Sequence, residues 1–270
     1  MSPHRAVALL LAPLAGCTST TQIVRPGGDN TAVPVTETRN PTDPVEVERR
    51  ARLRLELAGL YFSRGQTATA LEELRAALAA KPDLWEAHSL RGLILGSMGD
   101  VRGAEESFQR ALQINPGAAD AMHNYGWFLC QQRRFDEAEV QFRRALAQPG
   151  YAEPNRTLLA QGVCQARAGR WVDAERTLSR SYELDPANPV TAYNLSEVLL
   201  QRGELERARF YVRRVNSVPE QVSAQSLWLA IRIERRLGNN EQVLDYGRQL
   251  RDRFPQSTEA LQYERGRFDG

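Results

Sequence analysis

The sequence predicts an all-α fold: a right-handed superhelical solenoid of about six helix pairs over residues 47–257. Three observations predict it. Alanines at 70, 104, 138, 174 and 208 recur at steps of 34, 34, 36 and 34 residues, and a fixed period of this length marks stacked helical hairpins. Gly65, Gly99, Gly169, Gly203 and Gly238 break the units midway, while Pro82, Pro116, Pro149, Pro186, Pro219 and Pro255 close them. Between the breaks, apolar residues return at helical spacing, as in "VRGAEESFQRALQINP".

The chain opens differently. His4 and Arg5 precede an apolar run from Ala6 to Leu14. The run is too short for a bilayer, which takes about 20 residues, and it has the shape of a secretory signal. It ends Leu14-Ala15-Gly16-Cys17. This tetrapeptide resembles the bacterial lipobox: an aliphatic residue, two small residues and an obligatory cysteine. The resemblance implies that residues 1–16 are a signal peptide, cleaved before Cys17. It also implies a diacylglycerol on the Cys17 sulfur and an acyl chain on the new N-terminus. Thr18, not Asp, follows Cys17; Asp there signals inner-membrane retention in Gram-negative lipoproteins. The resemblance therefore implies an outer-membrane anchor facing the periplasm. A plain signal followed by a chance cysteine is the alternative.

Residues 17–46 carry the lipidated cysteine and then "TSTTQIVRPGGDNTAVPVTETRNPTDPV", rich in Thr, Pro, Gly, Asn and Asp. No helical or strand period survives there, so the segment reads as a disordered linker. A coil of that length spans roughly 30 Å.

From residue 47 each unit reads as two helices. The first runs to the mid-unit glycine, which supplies a left-handed turn. The second packs back on it through a recurrent alanine and stops at proline. One pair cannot bury its apolar face alone, so neighbours stack. The layout resembles the tetratricopeptide repeat, W-x₂-L-G-x₂-Y…A-x₃-F…P over 34 residues. Repeat one, about 51–84, carries Leu57, Ala58, Tyr61, Ala70 and Pro82; repeat two, 85–118, carries Gly92, Ala104, Phe108 and Pro116. Repeat three, 119–152, carries Gly126, Ala138 and Phe142; repeat four, 155–188, carries Gly162, Ala174, Leu178 and Pro186. Repeat five, 189–222, carries Leu195, Ser196 and Ala208; repeat six, about 224–257, keeps Gly238 and Pro255 but has Val243 in place of the alanine. Residues 258–270 read as a capping helix and tail.

Composition and motifs argue against chemistry. The net charge is +2 and 34 of the 35 basic residues are arginine, which gives no support for nucleic acid as a partner. Of three histidines, His4 leaves with the signal, and His88 and His123 fall in different repeats. No HExxH, GxSxG, phosphate loop or CxxC occurs. The reading is a non-enzyme with no small-molecule substrate, no metal and no cofactor beyond the covalent lipid on Cys17. Cys130 and Cys164 fall on first helices of adjacent repeats. Either they form a disulfide stapling repeats three and four, which an oxidising compartment permits, or they are two small apolar side chains. Their Cα separation decides between the two.

In a tetratricopeptide stack the first helices line a concave groove. The groove positions here include Leu93, His123, Trp127, Leu159, Val163, Tyr193, Trp228, Arg232 and Arg235. Such a groove suits a docked helix or extended segment, with aromatics and arginine as anchors. The alternative places several of these residues in the core between repeats. Asn124 and Asn194 occupy the position used by carboxylate-clamping members of this fold. The flanking basic pattern is missing, so hydrogen bonding to peptide backbone is the alternative role. Arg143-Arg144 and Arg213-Arg214 read as solvated second-helix faces.

"NYGWFLCQQRRFDEAEVQFRRAL" in repeat three and "LWLAIRIERRLGN…YGRQLRDRFPQS" in repeat six resemble the type IV pilus biogenesis and stability lipoproteins, the PilW/PilF-like pilotins. The resemblance covers about residues 51–257 plus the anchor. It implies binding of secretin subunits through the groove, and help in bringing them to the outer membrane and multimerising them there. The alternative is a periplasmic adaptor of the same fold serving peptidoglycan enzymes or outer-membrane protein insertion.

Overall fold

A computed structural model of the chain describes residues 43–268. The expected signal peptide, the lipidated Cys17 and the linker as far as residue 42 lie outside the described residues. Among those described, thirteen helices and no strand are present. They are α1 (Pro44–Ser63), α2 (Thr67–Ala80), α3 (Trp85–Ser97), α4 (Val101–Ile114), α5 (Ala119–Gln131), α6 (Phe135–Leu146), α7 (Pro154–Arg167), α8 (Trp171–Leu184), α9 (Pro189–Gln201), α10 (Leu205–Asn216), α11 (Ala224–Arg236), α12 (Asn240–Arg253) and α13 (Thr258–Glu264).

α1 to α12 form six antiparallel pairs, each packed on the next, and α13 closes the stack against α11 and α12. The fold is a tetratricopeptide solenoid. α1 starts at Pro44, inside the segment read as linker to residue 46. Asp43 accepts a hydrogen bond from the Val45 amide at 3.0 Å and proline follows it at the first helical position, a favourable helix start.

The mid-unit glycines take left-handed φ values of 74° to 82°. Repeat three has no glycine at this turn; Arg133 adopts φ 62° instead. Within each pair the helices meet through complementary sizes. A Cβ added to Gly92 would lie 2.8 Å from the Phe108 ring, and one on Gly126 2.9 Å from Phe142. On Gly162 it would meet Leu178 at 2.6 Å. These are the eighth and twenty-fourth positions of repeats two to four. In repeat six the sizes are reversed: Ile231 holds the eighth position and Gly247 the twenty-fourth. Tyr263 of α13 lies over Gly247, where an added Cβ would strike its ring. The sixth repeat is therefore inverted in volume, and α13 is fitted to the inversion.

Between repeats, the third, seventh and tenth positions of each first helix pack on the preceding pair. Ala121, Tyr125 and Phe128 are buried there in repeat three, and Thr191, Leu195 and Val198 in repeat five. Among the described residues no pair precedes the same face of α1, and Leu53, Leu57 and Leu60 are 45%, 40% and 45% exposed.

Cys130 and Cys164, both buried, are joined by a disulfide between α5 and α7 with Cα atoms 5.8 Å apart. Glu234 is buried on α11 and accepts from Arg213 of α10 at 2.8 Å and from Asn239 at 2.7 Å. Arg213 thus ties two repeats together, in contrast to the expected solvated face. Arg214 lies over the rings of Tyr182 and Phe210.

Candidate functional site

The first helices α3, α5, α7, α9 and α11 place their ninth positions in one row. Leu93, Trp127 and Val163 form its apolar part, all half-buried, and Glu197 and Arg232 continue it. Leu159 and Tyr193, from the fifth positions, flank the row and are also half-buried. The Trp127 ring is the largest apolar surface of the row. The Arg167 guanidinium, one repeat on, sits 5.0 Å from its centroid, a cation–π contact that holds the indole flat while leaving surface for a ligand.

Two predicted groove residues are not available. His123 is only 7% exposed. Its Nε2 accepts from Arg156 Nε at 3.1 Å, so the proton sits on Nδ1 and is donated to Thr157 Oγ1 at 2.9 Å. Burial, and then the positive charge of Arg156, lower its pKa to about 4, so the ring is neutral near pH 7. The cause is its fifth-position place beneath Arg156 of the next repeat, which covers it. Trp228 is 8% exposed because Phe268 stacks on it, centroids 5.6 Å apart.

The asparagines are also spoken for in part. Asn124 Nδ2 donates to Ser89 Oγ at 3.1 Å and its Oδ1 accepts from Arg156 Nη2 at 3.0 Å. Both groups are engaged across repeats two to four, so Asn124 does not offer the free amide expected of a backbone reader. Asn194 donates to the Val190 carbonyl at 2.8 Å within its own helix. The hydroxyl of Tyr193 has its pKa raised to about 12 by burial and by Glu197.

Sequence reasoning missed the polar chain Ser89–Asn124–Arg156–His123–Thr157–Tyr151. Tyr151 OH lies 2.7 Å from Thr157 Oγ1 and completes it. Its signal was present: Ser89 and Asn124 are 35 residues apart and His123 and Thr157 are 34 apart, close to one repeat. Arg167 was missed for lack of any pattern. The arrangement offers an apolar track ringed by guanidinium groups, and no described cluster of His, Cys, Asp and Glu could hold a metal ion. Its apolar, half-buried lining is of the kind that accommodates a segment of another protein.

Comparison with known proteins gives consistent matches. Tetratricopeptide-repeat family models match residues 97–161 and 165–227, and residues 55–119. The type IV pilus assembly protein PilF of Pseudomonas aeruginosa is 27% identical over 204 residues, covering 76% of this chain and 81% of PilF. The crystal structure of PilW, described as a widely conserved type IV pilus biogenesis factor, is 32% identical with a TM-score of 0.73, covering 78% of this chain and 96% of that one. The structure of P. aeruginosa PilF is 25% identical with a TM-score of 0.71, covering 82% and 99%.

Proposed function

The chain belongs to the tetratricopeptide-repeat proteins of type IV pilus biogenesis typified by PilF and PilW, and from that premise we propose that it is an outer-membrane lipoprotein that assembles the pilus secretin. The row Leu93–Trp127–Val163 binds a segment of a secretin subunit. The lipid on Cys17 carries the pair to the outer membrane, where subunits multimerise. The single observation that supports the reading is the likeness to PilW over almost its whole length; the Leu-Ala-Gly-Cys sequence at residues 14–17 supports the anchor.

The mechanism needs no strong contact. Anchoring confines both partners to one surface and raises their effective concentration, so a modest groove affinity suffices. Trp127 supplies the anchor because a partly exposed indole gives much contact area at low entropic cost. The polar chain, whose α5 members His123 and Asn124 lie one turn before Trp127, ties α3, α5 and α7 together.

The test is a gel of outer membranes from a strain lacking the gene, probed for heat-resistant secretin multimers. Multimers should vanish and return with intact protein, but not at the outer membrane with Cys17→Ser. Normal multimers without the gene would sink the reading and favour a periplasmic adaptor, sought by pull-down. Trp127→Ala with Val163→Asp should lower secretin binding at least tenfold while leaving helicity unchanged. Unaltered binding would remove the row from the mechanism.

A further inference from the structure

The apolar core of the described stack is interrupted once. One part runs through repeats two and three, from Leu95 to Phe142, and half-buried Leu71 joins it to the core of repeat one. The other part runs from Ala174 to Ala260, through repeats four to six. No side chain belongs to both. α7 stands between them. Its Leu159 and Ala166 pack with the later part, and only Cys164 and the half-buried Ala160 pack with the earlier one.

The cause is the residue choice on α7. Its third and seventh positions hold Thr157 and Gln161, where repeat three has Ala121 and Tyr125. Thr157, Gln161 and Gln165 are all buried, and they meet polar partners. Gln161 and Gln165 donate to the Glu139 carboxylate of α6 at 2.8 and 3.1 Å, and Thr157 meets His123 of α5. At the same junction, buried Gln165 Oε1 and Arg170 Nε have no hydrogen-bond partner among the described residues. Parting two apolar surfaces loses their burial outright. Parting two polar ones exchanges their hydrogen bonds for bonds to water at small net cost, and the two orphaned atoms gain partners. A solenoid repeat holds only its neighbours, so the stack opens first at its weakest interface. The link across this junction, residues 147–153, has seven residues with Gly150 at φ 70°, against four at 81–84, 115–118 and 185–188. The link before α11 is as long, but there the later part of the core runs across unbroken.

We propose that the junction between repeats three and four is a hinge between two bodies, residues 44–146 and 154–268, and that the Cys130–Cys164 bond is the pin that keeps it shut. The bond crosses this junction, where the apolar core does not. Trp127 lies on one side of it, and Val163 and Arg167 on the other. The Arg167 guanidinium still reaches the Trp127 ring, so the pin keeps the row in one piece. This holds whichever protein the row binds, and its failure and that of the secretin reading are separable.

The test reads thiol exposure in the folded full chain, with Cys17→Ser throughout so that no third thiol interferes. With Cys130→Ser, the pin is gone and Cys164 is a single buried thiol. Its reaction with 5,5′-dithiobis(2-nitrobenzoate) is compared with that of Val198→Cys in a chain carrying Cys130→Ser and Cys164→Ser. Val198 holds the same tenth position on α9, and both residues are 2% exposed. Each rate is divided by the rate in denatured chain. Cys164 should react at least about tenfold faster than the reference thiol, because the hinge opens without unfolding either body. Low urea should change its rate little, since little surface opens, and should raise the reference rate steeply. Equal rates, or an equally steep rise for both thiols, would overturn the hinge. Should Val198→Cys lose helicity, Ile94→Cys, the fully buried tenth position of α3, serves as the reference with the same outcomes.

Discussion

Two residues carry sharp consequences. Arg133 turns the chain between α5 and α6 with φ 62°, a conformation that costs a side-chain-bearing residue about 1–2 kcal/mol. The other units place glycine there. Arg133→Gly should stabilise the protein by about 1 kcal/mol, and chemical unfolding should show the gain as a raised midpoint with an unchanged slope. The second residue is His123. Its pKa is about 4 in the folded chain, below the roughly 6.5 of an unfolded histidine. Protonation therefore favours the unfolded chain. The contribution is complete above about pH 6.5 and is lost as pH falls toward 4, on the order of 3 kcal/mol. His123→Gln should flatten the stability profile across that window. A profile equally steep in the variant would mean other groups carry it. His123 also shows where sequence reading stops. Its position marked it for the groove, but only the neighbouring Arg156, laid across it from the next repeat, decides that the ring is covered.

At the scale of helices, most of the fold was legible. Glycine, proline and alanine at a 34-residue period give the pairs and their order, because each residue acts locally: a turn, a stop, a close approach. The groove was less legible, since facing depends on side chains 34 or more residues away. Leu93, Trp127, Leu159, Val163 and Tyr193 keep surface on the inner face, while Trp228 loses its surface to Phe268. The Cys130–Cys164 link needed a distance that no spacing supplies. It closes a loop of 34 residues and should stabilise the chain by about 3–4 kcal/mol. Reduction, or Cys130→Ser with Cys164→Ser, should lower the thermal midpoint by roughly 10 °C. Calorimetry with and without reductant checks this; an unmoved midpoint would show that the stack holds its centre unaided.

The stack of described helices has two unlike ends. α13 seals the last pair, whereas α1 presents Leu53, Leu57 and Leu60 where every later repeat has a neighbour. Leu57→Glu should therefore cost less than 1 kcal/mol, while its counterpart Leu195→Glu, at the same position of repeat five and fully buried, should unfold the chain. Thermal unfolding of the two variants tests the comparison. The reversed sizes at Ile231 and Gly247 bear on how such a chain can be cut and rejoined. Repeats two to four share one convention at this contact, glycine on the first helix and a bulky residue on the second. Repeat six obeys the opposite convention, and Tyr263 depends on it. A recombination breakpoint between α11 and α12 would set bulk against bulk or leave a hole, and one between α12 and α13 would strand Tyr263. Residues 224–264 must be inherited as one cassette, which makes the end of this solenoid the part that duplication of a repeat cannot reproduce piecemeal.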